Sequence, residues 1–421
     1  MPQQEPLTVL ATVAPERARA VESVLAEMRE NPAENDVLPF GKLRGWHFGR
    51  VVFLPAATGP DGESFPPKLL LLADCDGSAR AHLEAVVDVA GANLDRLFGA
   101  CEGYPASPSR GGRLSFLRAN SLRTKANYVH RQGRTVEQIR GEAELRRSLR
   151  EFVAREPLTG VPALEARRRL RTFVRNTPRL RWALEAPPAL PLGWRARNAV
   201  HATTLPLGLL ASWPVVVPAA LLVLLLVRLD ELRDHPEHIR PTPEHVRALT
   251  ELEDWHAHNG FTAGGLVKRG WVRQAVIRSV LPLIGWGTRH LFTRDSLAGV
   301  KTIHFARWIP LDDYRRVVFA SNYDGSLESY NNDFIDLVAW GLNLVFSNGR
   351  GYPKTRWLLF GGATLEQEFK DFLRRHQIPT PVWYSAYPDL TAVNIERNAK
   401  LRAGLSGWMN ERKAEAWLRL L

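Results

Sequence analysis

Cysteine is nearly missing from this chain: two in 421 residues, Cys75 and Cys101. That excludes a disulfide framework, and there is no Cys-x-x-Cys pair for a metal or a redox couple. The sequence also lacks a Gly-rich phosphate loop after a strand and a Gly-x-Ser-x-Gly nucleophile elbow. Zinc-finger spacings and an RNP-type aromatic strand are missing too, which argues against nucleic acid as the partner. The opening MPQQEPLTVL has no basic end followed by an apolar run. A reduced, cytoplasmic setting without a signal peptide is therefore expected. Acid is in deficit, 44 Asp and Glu against 56 Lys and Arg, for a net charge of +12. Such a surface attracts polyanions, either nucleic acid or an anionic membrane face. An apolar fraction of 45% is that of a folded protein, and the length suits two domains or a fused pair.

What the chain does have is a repeat. The stretch Asp76–Pro105 returns without a gap as Asp324–Pro353. Asp76-Gly77-Ser78 matches Asp324-Gly325-Ser326, Asp88 matches Asp336, Leu94 and Phe98 match Leu342 and Phe346. Both copies close on Gly-Tyr-Pro, at 103–105 and 351–353. Upstream, Trp46-His47-Phe48-Gly49-Arg50 matches Ile303-His304-Phe305-Ala306-Arg307.

Periodicity then orders the elements. Leu7–Val13, Trp46–Leu54 and Lys68–Ala73 read as strands, with a helix after Pro15 and a second capped by Ser78. Leu114–Leu117 is expected as a fourth strand. The order β-α-β-β-α-β is that of a ferredoxin-like unit. The second copy runs Phe261–Val267, Trp271–Leu283, Thr302–Ile309, Arg316–Ser321, Ser326–Phe346 and Trp357–Phe360, followed by a helix at Leu365–His376 and a strand at Val382–Tyr387. The expected fold class is α+β: two ferredoxin-like repeats, 1–120 and 258–421, packed as a pseudo-symmetric barrel, with a helical insert, 121–257, between them.

The insert holds two notable runs. Ala166–Trp182 carries Arg167, Arg168, Arg169, Arg171, Arg175, Arg179 and Arg181. Leu205–Val227 then has no charge over 23 residues, about 35 Å of helix at the standard rise, enough to cross a bilayer core. Pro206, Pro214 and Pro218 interrupt it. A single crossing would also put the two units on opposite sides of the membrane. An anchor at 199–230 that does not cross is expected, on the cytoplasmic face of an inner membrane, with the arginines on anionic lipid headgroups.

Residues that could carry chemistry are the duplicated His47 and His304, each beside a small residue (Gly49, Ala306) that leaves room for a ligand or a ring. Asp76 and Asp324 sit at the turn into the long helices, where an Asp is a cap or a proton carrier. Arg307 is the candidate anion partner. Glu253 and His256 have the Glu-x-x-His spacing of metal-binding helices, though only once. The aromatic run Val382–Pro388 fits either a core or an apolar pocket wall.

With this layout the chain resembles the dimeric α+β barrel superfamily, whose single-chain, two-unit members are the dye-decolourising peroxidases. In that family a histidine holds haem, and an Asp of a Gly-x-x-Asp-Gly motif works on peroxide with an arginine. Here Ala73 and Ser321 stand where the leading glycine would be. The resemblance implies a membrane-associated, haem-dependent oxidoreductase acting on a lipophilic small molecule, with His304, Arg307, Asp324, His47 and Asp76 as the catalytic set. The residues alone equally support a non-enzymatic, membrane-anchored lipid-binding or scaffold protein.

Overall fold

The run Leu69-Leu70-Leu71-Leu72-Ala73 has no polar face, so a strand there has to be covered on both sides. The computed structural model, which describes residues 3–59, 62–187, 189–253, 256–293 and 296–421, covers it with helices on one face and a second sheet on the other. In chain order the main elements begin with β1 (Gln4–Thr12), α1 (Ala18–Glu30), β2 (Trp46–Leu54), β3 (Lys68–Asp76), α2 (Ala79–Ala90) and α3 (Arg110–Ala119). Next come β4 (Ala126–Val129), α4 (Val136–Arg155), α5 (Ala163–Asn176) and the long α6 (Leu192–Arg233). The second half has β5 (His258–Leu266), α7 (Trp271–His290), β6 (Ile303–Leu311), β7 (Arg316–Asp324) and α8 (Leu327–Phe346). The chain ends with α9 (Glu366–His376), β8 (Val382–Ser385), α10 (Ala392–Ala403) and α11 (Glu411–Leu418).

This is a mixed α/β fold with two four-stranded antiparallel sheets, ordered β1-β3-β2-β8 and β4-β6-β7-β5. Both expected fourth strands fail. Leu114–Leu117 lies in α3, where Ser109 accepts from the Gly112 N–H and Leu114 and Leu117 bury one helical face. Trp357–Phe360 is a turn, with Trp357 and Leu358 at φ 58° and 59°, flanked by a two-residue ladder of 355–356 with 360–361. The missing places are filled by exchange: β4 follows the first half yet pairs with β6, and β8 follows the second half yet pairs with β2. So the stretch expected to open the insert supplies an edge of the second sheet. The helices after the exchanged strands, α4 and α10, join α5 and α11 in a separate core of Leu145, Leu149, Leu170, Val174, Leu401 and Trp417.

The repeated glycines are explained by backbone. Gly77 and Gly325 have φ +85° and +79°, and Gly103 and Gly351 have +73° and +77°, the left-handed region that other residues avoid.

The sheets meet face to face. Val52, Leu70 and Leu72 of the first pack on Ile309, Leu311 and Val318 of the second. Two buried arginines cross this layer in opposite senses. Arg50 donates to the Phe261 and Ser321 carbonyls (2.8 Å each), to Thr262 Oγ1 (2.9 Å) and to Asn322 Oδ1. Arg307 donates to the Leu7 and Ala73 carbonyls (2.8 Å each), to Thr8 Oγ1 (3.3 Å) and to Asp74. Asn322 Nδ2 donates to Asp74 Oδ2 at 3.0 Å, joining the two sets. One carboxylate thus serves two guanidiniums. Burial pulls Arg50 down to about 10, with Asp74 opposing and Arg307 adding to the fall.

Removing one partner of a buried charge pair leaves the other uncompensated, at about 3–5 kcal/mol. Arg307→Ala should therefore lower unfolding stability by that order in urea titrations followed by circular dichroism. Arg307→Lys should recover little, since an ammonium cannot reproduce the planar fork.

Candidate functional site

The duplicated histidines sit at matching irregularities. The β2–β3 register shifts between Trp46 and Phe48, and the β6–β7 register between Ile303 and Phe305. A bulge adds a residue and re-aims its side chain. Strict alternation predicts His47 on the Gly49 face, away from Phe48. Instead His47 lies beside Phe305 (ring centroids 5.2 Å) and His304 beside Phe48 (5.3 Å), on the faces where the sheets meet. The space beside Gly49 holds the Trp46 ring, 3.0 Å from where a Cβ would stand.

Each histidine meets the aspartate ending the neighbouring strand. His47 Nε2 is 3.0 Å from Asp76 Oδ1, and His304 Nε2 is 2.6 Å from Asp324 Oδ1. The other carboxylate oxygens accept the first N–H of a helix distant in sequence: Val136 N to Asp76 Oδ2 (2.8 Å) and Ala392 N to Asp324 Oδ2 (2.7 Å). The aspartates do not cap the helices that follow their own turns; they add an acceptor at two other helix starts, where Thr135 and Thr391 are the N-caps. The helices they hold are α4 and α10, while Ser78 and Ser326 cap the long helices beside them.

A third residue completes each set, and here the copies differ. Gln4 Nε2 reaches Asp76 Oδ1 at 3.3 Å and the Arg134 carbonyl at 2.6 Å. In its place His258 Nε2 lies 3.4 Å from Asp324 Oδ1 and 2.5 Å from the Leu390 carbonyl, with Nδ1 3.2 Å from Ser385 Oγ. Tyr387 closes the first set, its hydroxyl 2.9 Å from His47 Nδ1. Its hydroxyl is pushed well above the usual range, first by burial and then by the surrounding aspartates. Burial, then His304, pulls His258 down to about 3 against the opposing Asp324. It is therefore neutral.

Of the five expected catalytic residues, the fold brings His47 to Asp76 and His304 to Asp324, and commits Arg307 to the sheet interface. Sequence reading did not notice Gln4, and it took His258, Arg50 and Tyr387 only as members of a histidine-rich segment, the repeated strand and the aromatic run 382–388, without assigning them to this site. The matching positions of Arg50 and Arg307 were available as a signal. His258 was hidden by a strand start placed at Phe261, three residues late. The Glu253–His256 pair is not a metal site in this fold, because Glu253 is bound by Arg374 at 2.7 and 2.9 Å and His256 is exposed.

Could the site hold a cofactor? A haem on His47 or His304 needs a free imidazole nitrogen and a slot beside it. Each Nε2 is already bonded to an aspartate, and the layer between the sheets is filled by side chains. The residues do not fit that group. His258, His304 and Asp324 do bring three ligand atoms within 4.8 Å of one another, all buried. Both histidine Nε2 atoms, however, are engaged as hydrogen-bond donors, to the Leu390 carbonyl and to Asp324. A divalent cation could enter only by displacing those protons. What this arrangement does chemically is hold two helix N-termini.

His258 also sets a pH dependence. Its folded pKa of about 3 lies below the ordinary 6.5, so the unfolded chain binds more protons between these values. Its stabilising effect is full above pH 6.5 and is lost as pH falls towards 3, on the order of 2 kcal/mol by pH 5. His258→Gln, the residue found at the matching position 4, should flatten urea midpoints between pH 7 and pH 5 relative to the parent chain. No protein-family model, curated protein or solved structure matches this chain, so the site geometry and the surface stand alone as the functional indicators.

Proposed function

We propose that this protein is a monotopic membrane protein, an α/β body attached in the plane of a bilayer by α6. The observation that carries the reading is the exposure of α6. Its apolar 18-residue core is only 6% buried, and Leu210, Trp213, Val215 and Leu221 are each at least 60% exposed. Within 205–227 only Leu205, Ser212, Val216, Val223, Leu224, Leu226 and Val227 are partly or fully covered, and four of these seven lie in the last five residues. Leaving so much apolar area in water costs roughly 25 cal/mol per Å², and a bilayer relieves it. Among the described residues, no large apolar side chain before Leu164 is exposed, so the exposed apolar surface comes from the later part of the chain.

Both ends of α6 are tied to the same body, which favours attachment without crossing. Near its start, Arg289 donates to Asn198 Oδ1 at 2.6 Å and Trp286 Nε1 to the His201 carbonyl at 3.3 Å. Near its end, Arg273 donates to Asp230 at 2.5 Å, and buried Glu231 accepts from Thr355 Oγ1 and the Trp357 and Leu358 N–H groups at 2.8–2.9 Å. Arginine–tryptophan pairs flank the apolar run, Arg289 over Trp194 and Arg228 over Trp357, each 5.9 Å from the ring centroid. Such pairs suit the headgroup level. The 167–181 arginines serve this less well than expected. Arg167 is buried against the Gly404, Ser406 and Gly407 carbonyls, Arg168 and Arg169 bind Glu165, and Arg179 binds Glu144.

In the same reading the body is a pair of ferredoxin-like units that exchange their fourth strands. It acts as a binding or scaffold module, with the His–Asp sets as internal braces. Flotation on phosphatidylcholine/phosphatidylglycerol liposomes tests it. The parent chain should float, and Leu210→Asp with Leu221→Asp should stay in the load fraction while keeping the parent circular dichroism spectrum. Equal flotation of the two would overturn the reading.

A further inference from the structure

A second feature lies at the far end of the sheets from the His–Asp sets. Where β2 ends at Leu54 and β6 at Leu311, the sheets part to form a cleft of about 870 Å³. One side is closed by the segment 234–239, which leaves the end of α6. The cleft has an apolar wall of Leu54, Leu311, Val318 and Ile378 and a charged rim.

The rim is unbalanced. Lys268, Arg316, Arg350 and Arg375 line it, against Asp234 and Glu237. Lys268 is taken by Asp234, and Arg316 by Asp312 at 2.5 Å. Arg350 and Arg375 make no ion pair among the described residues, and burial holds Arg375 below its ordinary range. Its guanidinium lies against Gly351, where a Cβ would meet it. A half-buried guanidinium without an acid is costly unless something anionic arrives. His376, which also lines the cleft, is pulled down to about 4, chiefly by burial, and is neutral.

The floor of the cleft is the outer edge of β5. β5 is the edge of its sheet, and its even-numbered residues turn their peptide groups outward: the Thr262 carbonyl accepts from Ile378 N and the Leu266 carbonyl from Arg350 N, both at 2.8 Å. Gly264, between them, turns its N–H the same way, and the bridge of Ala263 with Gln377 pairs it with the His376 carbonyl, so the floor is closed.

We propose that this cleft binds an amphiphile with an anionic head, carboxylate or phosphate. Arg350 and Arg375 hold the head, and the chain lies along Leu54, Leu311, Val318 and Ile378. The site opens beside the last turn of α6, but binding does not require that α6 sit in a membrane.

The test is titration calorimetry on the full chain in phosphatidylcholine nanodiscs, with protein-free nanodiscs subtracting partition into lipid. Lysophosphatidic acid and oleate should bind saturably. Lysophosphatidylcholine of the same chain should bind at least tenfold more weakly, as should inorganic phosphate alone. Arg350→Ala with Arg375→Ala should weaken lysophosphatidic acid binding at least tenfold. Gly264→Val, which blocks the floor with both arginines present, should do the same. Equal binding of lysophosphatidylcholine, phosphate alone binding as tightly as the amphiphile, or parent-like affinity in both variants would each overturn the proposal. If the parent and the two α6 aspartate substitutions bind equally, the cleft stands even where the membrane reading fails.

Discussion

Two guanidiniums crossing between two sheets, with one carboxylate for both, constrain everything else in this fold. Arg50 and Arg307 each bind carbonyls of the opposite sheet, so neither sheet can shift without stranding a buried cation. The exchanged strands β4 and β8 reinforce the lock, since each sheet is finished by a segment that follows the other half. The His–Asp sets extend it outward by fixing the starts of α4 and α10. A layer held in this way and filled with Val, Leu and Ile has no room for a flat cofactor. Ligand chemistry is left to the open ends of the sheets and to the surface.

Much of this was legible in the sequence. The ungapped repeat, the Asp-Gly-Ser turns and the alternation of β2, β3, β6 and β7 placed the central strands and the long helices close to where they lie. The failures have physical causes. Leu114 and Leu117 are spaced for a helix and stand behind a Ser109 cap, so local helix chemistry overrode the wish for a fourth strand. Exchange itself is invisible to periodicity, because β4 reads the same whichever sheet it joins. The bulges at His47 and His304 break strict alternation, and alternation was the only guide to where those side chains point. The partners of Asp76 and Asp324 are helix starts distant in sequence, a contact no local pattern encodes.

The copies match closely in framework, and their differences are informative. His258 replaces Gln4 and Asn322 replaces Asp74, changes that keep hydrogen bonding while altering charge and proton binding. The larger asymmetry is on the surface. Among the described residues, the large exposed apolar side chains apart from Leu164, the arginine–tryptophan pairs and the unpaired arginines of the cleft belong to α6 and the chain after it.

The central claim is that α6 lies in the plane of the bilayer with both of its ends on the body's side. Single cysteines at Arg197 and Arg233, just outside its apolar run, test it in sealed vesicles with a membrane-impermeant maleimide. Cys75 and Cys101 are buried and give little background. The account predicts that both sites are labelled from the same side, before any permeabilisation. Labelling of one from outside and of the other only after the vesicles are opened would contradict it.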